Sequence, residues 1–291
     1  MVVSRAEVLG MCMGVRRAET LARKAAQDGS CGQRPVFTYG PLIHNPQAVA
    51  ALEAEGVRVL DPSSVDSPDW ADRLRNAIVV IRAHGAPPEV FSRLDTLGTL
   101  VVDATCPRVI KSQRKAADLV RQGYQVVIAG DRSHGEVMGI LGYAPGAVVA
   151  ESSAEAVATA KRFSRLPVAL IAQTTIGHKE FESIAAEFRG RAENFLEVNT
   201  LCPATSERQN SLDSLAARVS AIVVVGGKNS ANTQRLFLAA KASGKPSWHI
   251  ERAGELPKEI FSFASVGLTA GASTPDSMVD EVESYLLGLN P

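Results

Sequence analysis

VVDATCPRVIKSQ, residues Val101 to Gln113, decides how the rest of the chain is read. A short Val-rich run of strand type ends in the polar turn Asp103-Ala104-Thr105. Cys106, Pro107 and a basic segment of helical type follow. Two further cysteines open segments of the same kind, CMGVRRAETLARKAA at Cys12 and CPATSERQNSLDSLAARV at Cys202. Cys12 and Cys106 are 94 residues apart, Cys106 and Cys202 96, so the pattern recurs in each third of the 291 residues. Self-similarity at a fixed period is the mark of a repeated supersecondary unit.

Polar turns recur in the same order. After the first helix in each third comes a strand ending in TYGPLIHN with His44, IAGDRSHGEV with His134, or VVGGKNSAN with Asn229 and Ser230. A later strand ends in VVIRAHG with His84, LIAQTT with Thr174 and Thr175, or GLTAGAST with Ser273. Between these turns, Val- and Ile-rich runs alternate with Ala-rich amphipathic stretches. Ala77–Ile81, Thr99–Val102, Gln125–Ala129, Val168–Ala172, Ala221–Val225 and Ser265–Thr269 are the clearest strands. Such alternation predicts an α/β protein with mostly parallel sheets. The expected architecture is three pseudo-symmetric α/β units, residues 1–104, 105–200 and 201–291, around a central site. Ligands of open α/β sheets bind at the carboxyl ends of the strands. The stretch from Asp61 to Pro68 reads as a surface excursion.

Composition narrows the function. Apolar residues make up 45% of the chain, an ordinary globular content. Lys plus Arg and Asp plus Glu both total 31, so no global field draws the chain to nucleic acid. The first residues lack a signal-peptide layout and no apolar run has membrane-spanning length, so a cytoplasmic protein with no membrane partner is expected. Four cysteines are too few and too scattered for a secreted disulfide scaffold.

Three equivalent cysteines point to a shared ligand, because a nucleophile needs only one. Paired C-x-x-C spacing, the usual zinc signature, is absent. An iron-sulfur cluster accepts distant ligands, and a cubane held by three cysteines keeps one iron open. Each cysteine taken alone also fits a buried core thiol, and Cys31, which has no counterpart in the other thirds, fits a loop or helix-end thiol best. The histidines and hydroxyls beside helix starts form a ready anion site, although each also fits a structural or capping role. Glu136 reads either as a proton donor or as a first-turn helix acid. His178 and His249 lack the repeated context.

Taken together, GMCMGVRRA, YGPLIHNPQ, RAHG, DATCP, SHGEV, AQTT, CPATSERQ, GGKNSANTQRL and TAGASTPD, in this order, resemble the 4-hydroxy-3-methylbut-2-enyl diphosphate reductase (LytB) family. The resemblance covers essentially the whole chain. It implies reductive removal of an allylic hydroxyl, giving isopentenyl and dimethylallyl diphosphates, the last step of the methylerythritol phosphate route to isoprenoids. It implies that Cys12, Cys106 and Cys202 hold a 4Fe-4S cluster. His44, His84, His134, Ser230, Asn232 and Ser273 would bind the diphosphate. Glu136 would supply a proton, one threonine of the Thr174-Thr175 pair would lie near the substrate hydroxyl, and Thr205 near the cluster. A ferredoxin- or flavodoxin-like protein would supply electrons. The chain departs from the family's usual pattern at Arg108, Ile110, Gln113, Gly135 and Ala231. A divergent paralogue acting on another substrate, an iron-sulfur redox sensor and a zinc-binding structural protein are the rival readings.

Overall fold

A computed structural model of the chain describes residues 1–43, 45–64 and 67–289. The elements in chain order are β1 (Val2–Arg5), α1 (Met13–Gly32), β2 (Val36–Tyr39), α2 (Pro46–Ala54), β3 (Val57–Leu60), α3 (Pro68–Leu74), β4 (Ile78–Ile81), α4 (Pro88–Thr96) and β5 (Leu100–Asp103). The middle of the chain forms α5 (Pro107–Arg121), β6 (Gln125–Ala129), α6 (Gly135–Tyr143), β7 (Val148–Ala150), α7 (Ser153–Arg162), β8 (Pro167–Ala172), α8 (His178–Arg189) and β9 (Asn194–Val198). The rest forms α9 (Pro203–Ala216), β10 (Ala221–Val225), α10 (Ala231–Ala242), β11 (Ser247–Ile250), β12 (Ser265–Ala270) and α11 (Asp276–Leu286). All six strands expected from the sequence are present, each within a residue or so. The excursion after Asp61 holds a short 3-10 turn at Pro62–Ser64, and α3 follows. None of the described helices is long and apolar enough to cross a membrane.

The strands form three four-stranded sheets, β3-β2-β4-β5, β7-β6-β8-β9 and β11-β10-β12-β1. Neighbouring strands run parallel in all three. Every sheet has the same order: its second strand at one edge, then its first, its third and its fourth. In the last sheet the fourth place is taken by β1, whose Val2, Val3, Ser4 and Arg5 pair with Ser265, Val266, Gly267 and Leu268. Strands inside a parallel sheet are covered on both faces, so their residues need not alternate between apolar and polar. Accordingly every residue of β4 and of β10 is buried. The edge strand β9 has no fully buried residue, and its Asn194 is exposed.

The chain packs as two compact units. One comprises Met1–Arg16, Ile43–Ala54 and Pro203–Pro291 and holds the sheet that β1 completes. Its core lies on both faces of β10 and β12, with Leu212, Leu215 and Leu236 on one side and Ile260, Val279 and Val282 on the other. Helix α2 belongs to this unit: Asn45 accepts the N–H of Ala48 at 3.0 Å, capping the helix, and its Nδ2 points to Met278 Sδ at 3.1 Å. The other unit, Arg17–Leu42 and Glu55–Cys202, holds the remaining two sheets. Here α6 lies against both α4 and α5, and the missing side chain of Gly142 admits Pro87. Burying a side chain such as Leu94, Leu170 or Phe188 contributes about 1.5–3 kcal/mol.

Candidate active site

Cys12, Cys106 and Cys202 form no disulfide among the described residues, and each is partly exposed. Each stands directly before a helix: α1, α5 and α9 respectively. Cys106 caps α5, and Pro107, which has no N–H to lose, takes the first helical position. The backbone around the three is equivalent. Cys12 N–H donates to Ala272 O at 3.1 Å, Cys106 N–H to Ala83 O at 2.9 Å and Cys202 N–H to Thr174 O at 2.9 Å. Each acceptor lies two residues beyond β12, β4 or β8, the third strand of its sheet. The cysteines therefore occupy corresponding links, each from a sheet's fourth strand to the next helix.

Local chemistry shapes these turns. Asp103 accepts the N–H and the hydroxyl of Thr105, and Asn199 accepts the N–H of Leu201 at 3.0 Å. Both are side-chain turns that set the chain three residues before a cysteine. Arg17 donates to Thr105 O at 3.2 Å and supports the Cys106 turn from α1. At the Cys12 turn, Arg16 donates to Met11 O and grips the Asp276 carboxylate with two nitrogens at 2.8 and 2.9 Å. Arg208, only 3% exposed, donates to Gly10 O at 2.6 Å. The amino end of a helix favours negative charge, such as that of a thiolate-bound cluster.

The Arg17–Cys202 unit gathers the second group of expected residues. His84, past β4, and His134, the cap of α6, meet edge to face with ring centroids 4.8 Å apart. His134 Nδ1 accepts the N–H of Glu136 at 3.2 Å, which fixes its ring orientation at the helix start. Glu136 is 1% exposed, and its two carboxyl oxygens accept the N–H and the hydroxyl of Thr174, both at 2.7 Å. Thr175 instead accepts a hydrogen bond from Gln173 Nε2 at 3.1 Å, so Thr174 is the threonine that faces the carboxyl group. Gln173, fully buried, also accepts Asp131 N–H at 2.9 Å, while Asp131 accepts the N–H and hydroxyl of Ser133. That chain of bonds holds the loop carrying His134.

The other unit carries a pair of serines of its own. Ser230 caps α10, and Ser273 Oγ donates to Ser230 Oγ at 3.3 Å. Asn232, in the first turn of α10, has a buried Nδ2 with no partner among the described residues. The preceding loop is bolted down by Lys228, whose N–H reaches Glu251 at 2.7 Å and whose ammonium group reaches Glu255 at 2.5 Å. His44 lies outside the described residues. His178 is an exposed first residue of α8, and His249 Nε2 lies 2.8 Å from Gly226 O, so neither joins the site. Thr205 is partly buried in the first turn of α9. Among the described residues no three His, Cys, Asp or Glu side chains converge closely enough to hold a single metal ion.

Sequence reading missed Gln173, Arg208, Arg16 and Arg17. Gln173 stands beside the threonine pair in AQTT, and a polar residue at the end of an otherwise apolar strand was its signal. The arginines read as ordinary charges on helices and carried no signal.

The profile of the LytB protein family matches residues 3–287. The chain belongs to the LytB family. A relative from Treponema denticola, 4-hydroxy-3-methylbut-2-enyl diphosphate reductase, is 47% identical over 292 residues, 99% of either chain. The protein of the same name from Aquifex aeolicus is 39% identical over 97% of this chain and 94% of its own. A solved structure of (E)-4-hydroxy-3-methyl-but-2-enyl diphosphate reductase, described as the terminal enzyme of the non-mevalonate pathway, matches with TM-score 0.73. It is 37% identical and the match covers 99% of this chain and 100% of that one. The structure of the E-1-hydroxy-2-methyl-but-2-enyl-4-diphosphate reductase from Plasmodium falciparum shares the LytB fold, with TM-score 0.88 over 100% of this chain and 88% of that one at 22% identity.

Proposed function

We propose that this chain is an oxidoreductase that reduces 4-hydroxy-3-methylbut-2-enyl diphosphate. Two electrons and two protons break the allylic C–O bond, release the hydroxyl as water, and leave isopentenyl or dimethylallyl diphosphate. The observation that carries this reading is the equivalence of the three cysteine turns, each N–H tied to the carbonyl two residues past the third strand of a sheet. Full-length similarity to relatives bearing the reductase name supports it.

The cofactor is a 4Fe-4S cluster held by Cys12, Cys106 and Cys202, one from each of the thirds 1–104, 105–200 and 201–291. The donor set fits: three partly exposed thiols, each at the amino end of a helix. A cubane separates its ligands by its own width, whereas a single zinc ion requires them to converge. When bound, the cluster supplies the electrons and a Lewis-acidic iron, and a ferredoxin- or flavodoxin-like protein in the cytoplasm recharges it.

The protein's own residues do the rest. His44, His84, His134, Ser230, Asn232 and Ser273 bind the diphosphate through side-chain donors next to helix amino ends, an arrangement suited to phosphate. Glu136 holds the proton that leaves with the hydroxyl oxygen, and Thr174 fixes the carboxyl group by two hydrogen bonds.

Anaerobic reconstitution followed by turnover with the family substrate and a chemical reductant is the test. Brown, sulfide-containing protein that converts the substrate to the two products supports the reading. Colourless protein carrying zinc would sink it, and a cluster-bearing protein inert toward this substrate would leave a paralogue or a sensor.

A further inference from the structure

One cation of the Arg17–Cys202 unit, Arg82, has no counter-charge among the described residues. Arg82 follows β4, two residues before His84, and its backbone carbonyl accepts the N–H of Gly85 in the same turn. Its Nε is buried without a hydrogen-bond partner, and its guanidinium takes part in no ion pair among the described residues. Two glycines, one just past β2 and one at the start of α6, make room for it. Gly40, at φ +72°, stands where a Cβ would come to 3.0 Å from Arg82 Nη1. A Cβ on Gly135 would overlap Nη2 outright.

Gly135 is the first residue of α6, the helix capped by His134. The guanidinium therefore sits against the amino end of a nine-residue helix, where the backbone partial charge is also positive. Burying an arginine costs free energy that the side chain cannot avoid by losing its proton, so a desolvated guanidinium needs an anion. Burial pushes its pKa down, and among the described residues no carboxylate opposes that shift. A positive helix end, a half-buried guanidinium whose Nε is fully buried, and two histidines on adjoining turns have one common complement, a phosphoryl group.

We infer that Arg82 is a further diphosphate-binding residue, its guanidinium held between Gly40 and Gly135 so that it meets the phosphoryl oxygens at the start of α6. This rests on the proposed substrate and extends the binding set beyond the histidines, serines and asparagine. A guanidinium presents paired N–H donors that match two phosphate oxygens, which an imidazole cannot do.

The test compares the reconstituted wild type with R82M, R82K and G135A, using inorganic diphosphate as the binding probe. A residue kept for the ligand and not for folding has a specific signature. Ligand-free R82M should melt no lower than wild type, because it no longer buries an unpaired cation. Its upward melting shift on adding inorganic diphosphate should shrink, and KM for the allylic diphosphate should rise about tenfold or more with kcat nearly unchanged, as for a lost charged hydrogen bond. R82K should fall between the two. G135A keeps the charge but displaces the guanidinium, so its KM should also rise. R82M that melts lower than wild type while keeping its KM and diphosphate shift would make the guanidinium structural and overturn the inference alone. A wild type whose diphosphate shift depends on Arg82 but which reduces no family substrate would overturn the proposed reaction and leave this site standing.

Discussion

Glu136 and Thr174 are joined twice: one carboxyl oxygen accepts the threonine's N–H and the other its hydroxyl, both at 2.7 Å, with neither residue more than 5% exposed. A carboxyl group fixed at both oxygens cannot swing to find a substrate. The substrate must be brought to it, and the geometry is set before binding.

Glu136→Gln should therefore reduce turnover about 100-fold or more, the usual range for a lost general acid, with KM changing far less. The amide can accept from only one of the two Thr174 donors, so unfolding free energy should also fall by about 1–3 kcal/mol. Steady-state kinetics alongside a denaturant titration separates the two effects. Full activity in this variant would remove Glu136 as the proton source.

Thr174→Val and Thr175→Val should differ. The first leaves a Glu136 oxygen without its hydroxyl donor and should lower kcat by about tenfold, the value of one well-made hydrogen bond. The second loses only a bond to Gln173 and should stay within about threefold of wild type, as expected of a neutral hydrogen bond in a partly exposed site. Equal losses in the two variants would contradict the pairing.

Arg208→Met removes the donor to Gly10 O and should loosen the turn that carries Cys12. We expect a loss of about 1.5–3 kcal/mol in stability, the cost of one charged hydrogen bond in a buried site. Iron release to a chelator, followed by the fading of cluster absorption, should also be faster than in wild type. Unchanged release would show that the turn holds without the arginine.

Arg189 clamps α8 to β9 through Glu182 and Glu197. The hydrogen bond from Arg189 holds the Glu182 carboxyl below the ordinary glutamate value of 4.5. A depressed carboxyl contributes stability above its unfolded value and loses it as pH falls through the folded value. Melting temperatures of wild type and Arg189→Leu should therefore differ modestly near neutrality and converge in acid. A gap that widens on acidification would reverse the assigned sign.

The parts of the fold that could be read in advance are those with strong local signals. Ile78–Ile81 and Ala221–Val225 are unbroken apolar runs, and Cys106-Pro107 and Cys202-Pro203 mark helix starts. The edge strands β7 and β11 are short and partly exposed, too weak a pattern to stand out. Of the site, the repeated cysteines and polar turns are visible because identical chemistry recurs at matching places. The contact between Glu136 and Thr174 is not, since it joins residues 38 positions apart through folding alone. Arg82 is hidden for a different reason: what distinguishes it is the absence of a partner, and sequence records only presence.

The pairing of Val2–Arg5 with Ser265–Leu268 also orders events in time. Strands β2 to β5 and β6 to β9 each complete a sheet from one continuous stretch, so both sheets can form while later residues are still on the ribosome. Strand β1 can pair only once β12 has been made. The Cys12 turn waits with it, because its N–H acceptor is Ala272. In the proposed enzyme, cluster insertion follows that pairing, and a change within Val2–Arg5 acts on the turn that carries Cys12.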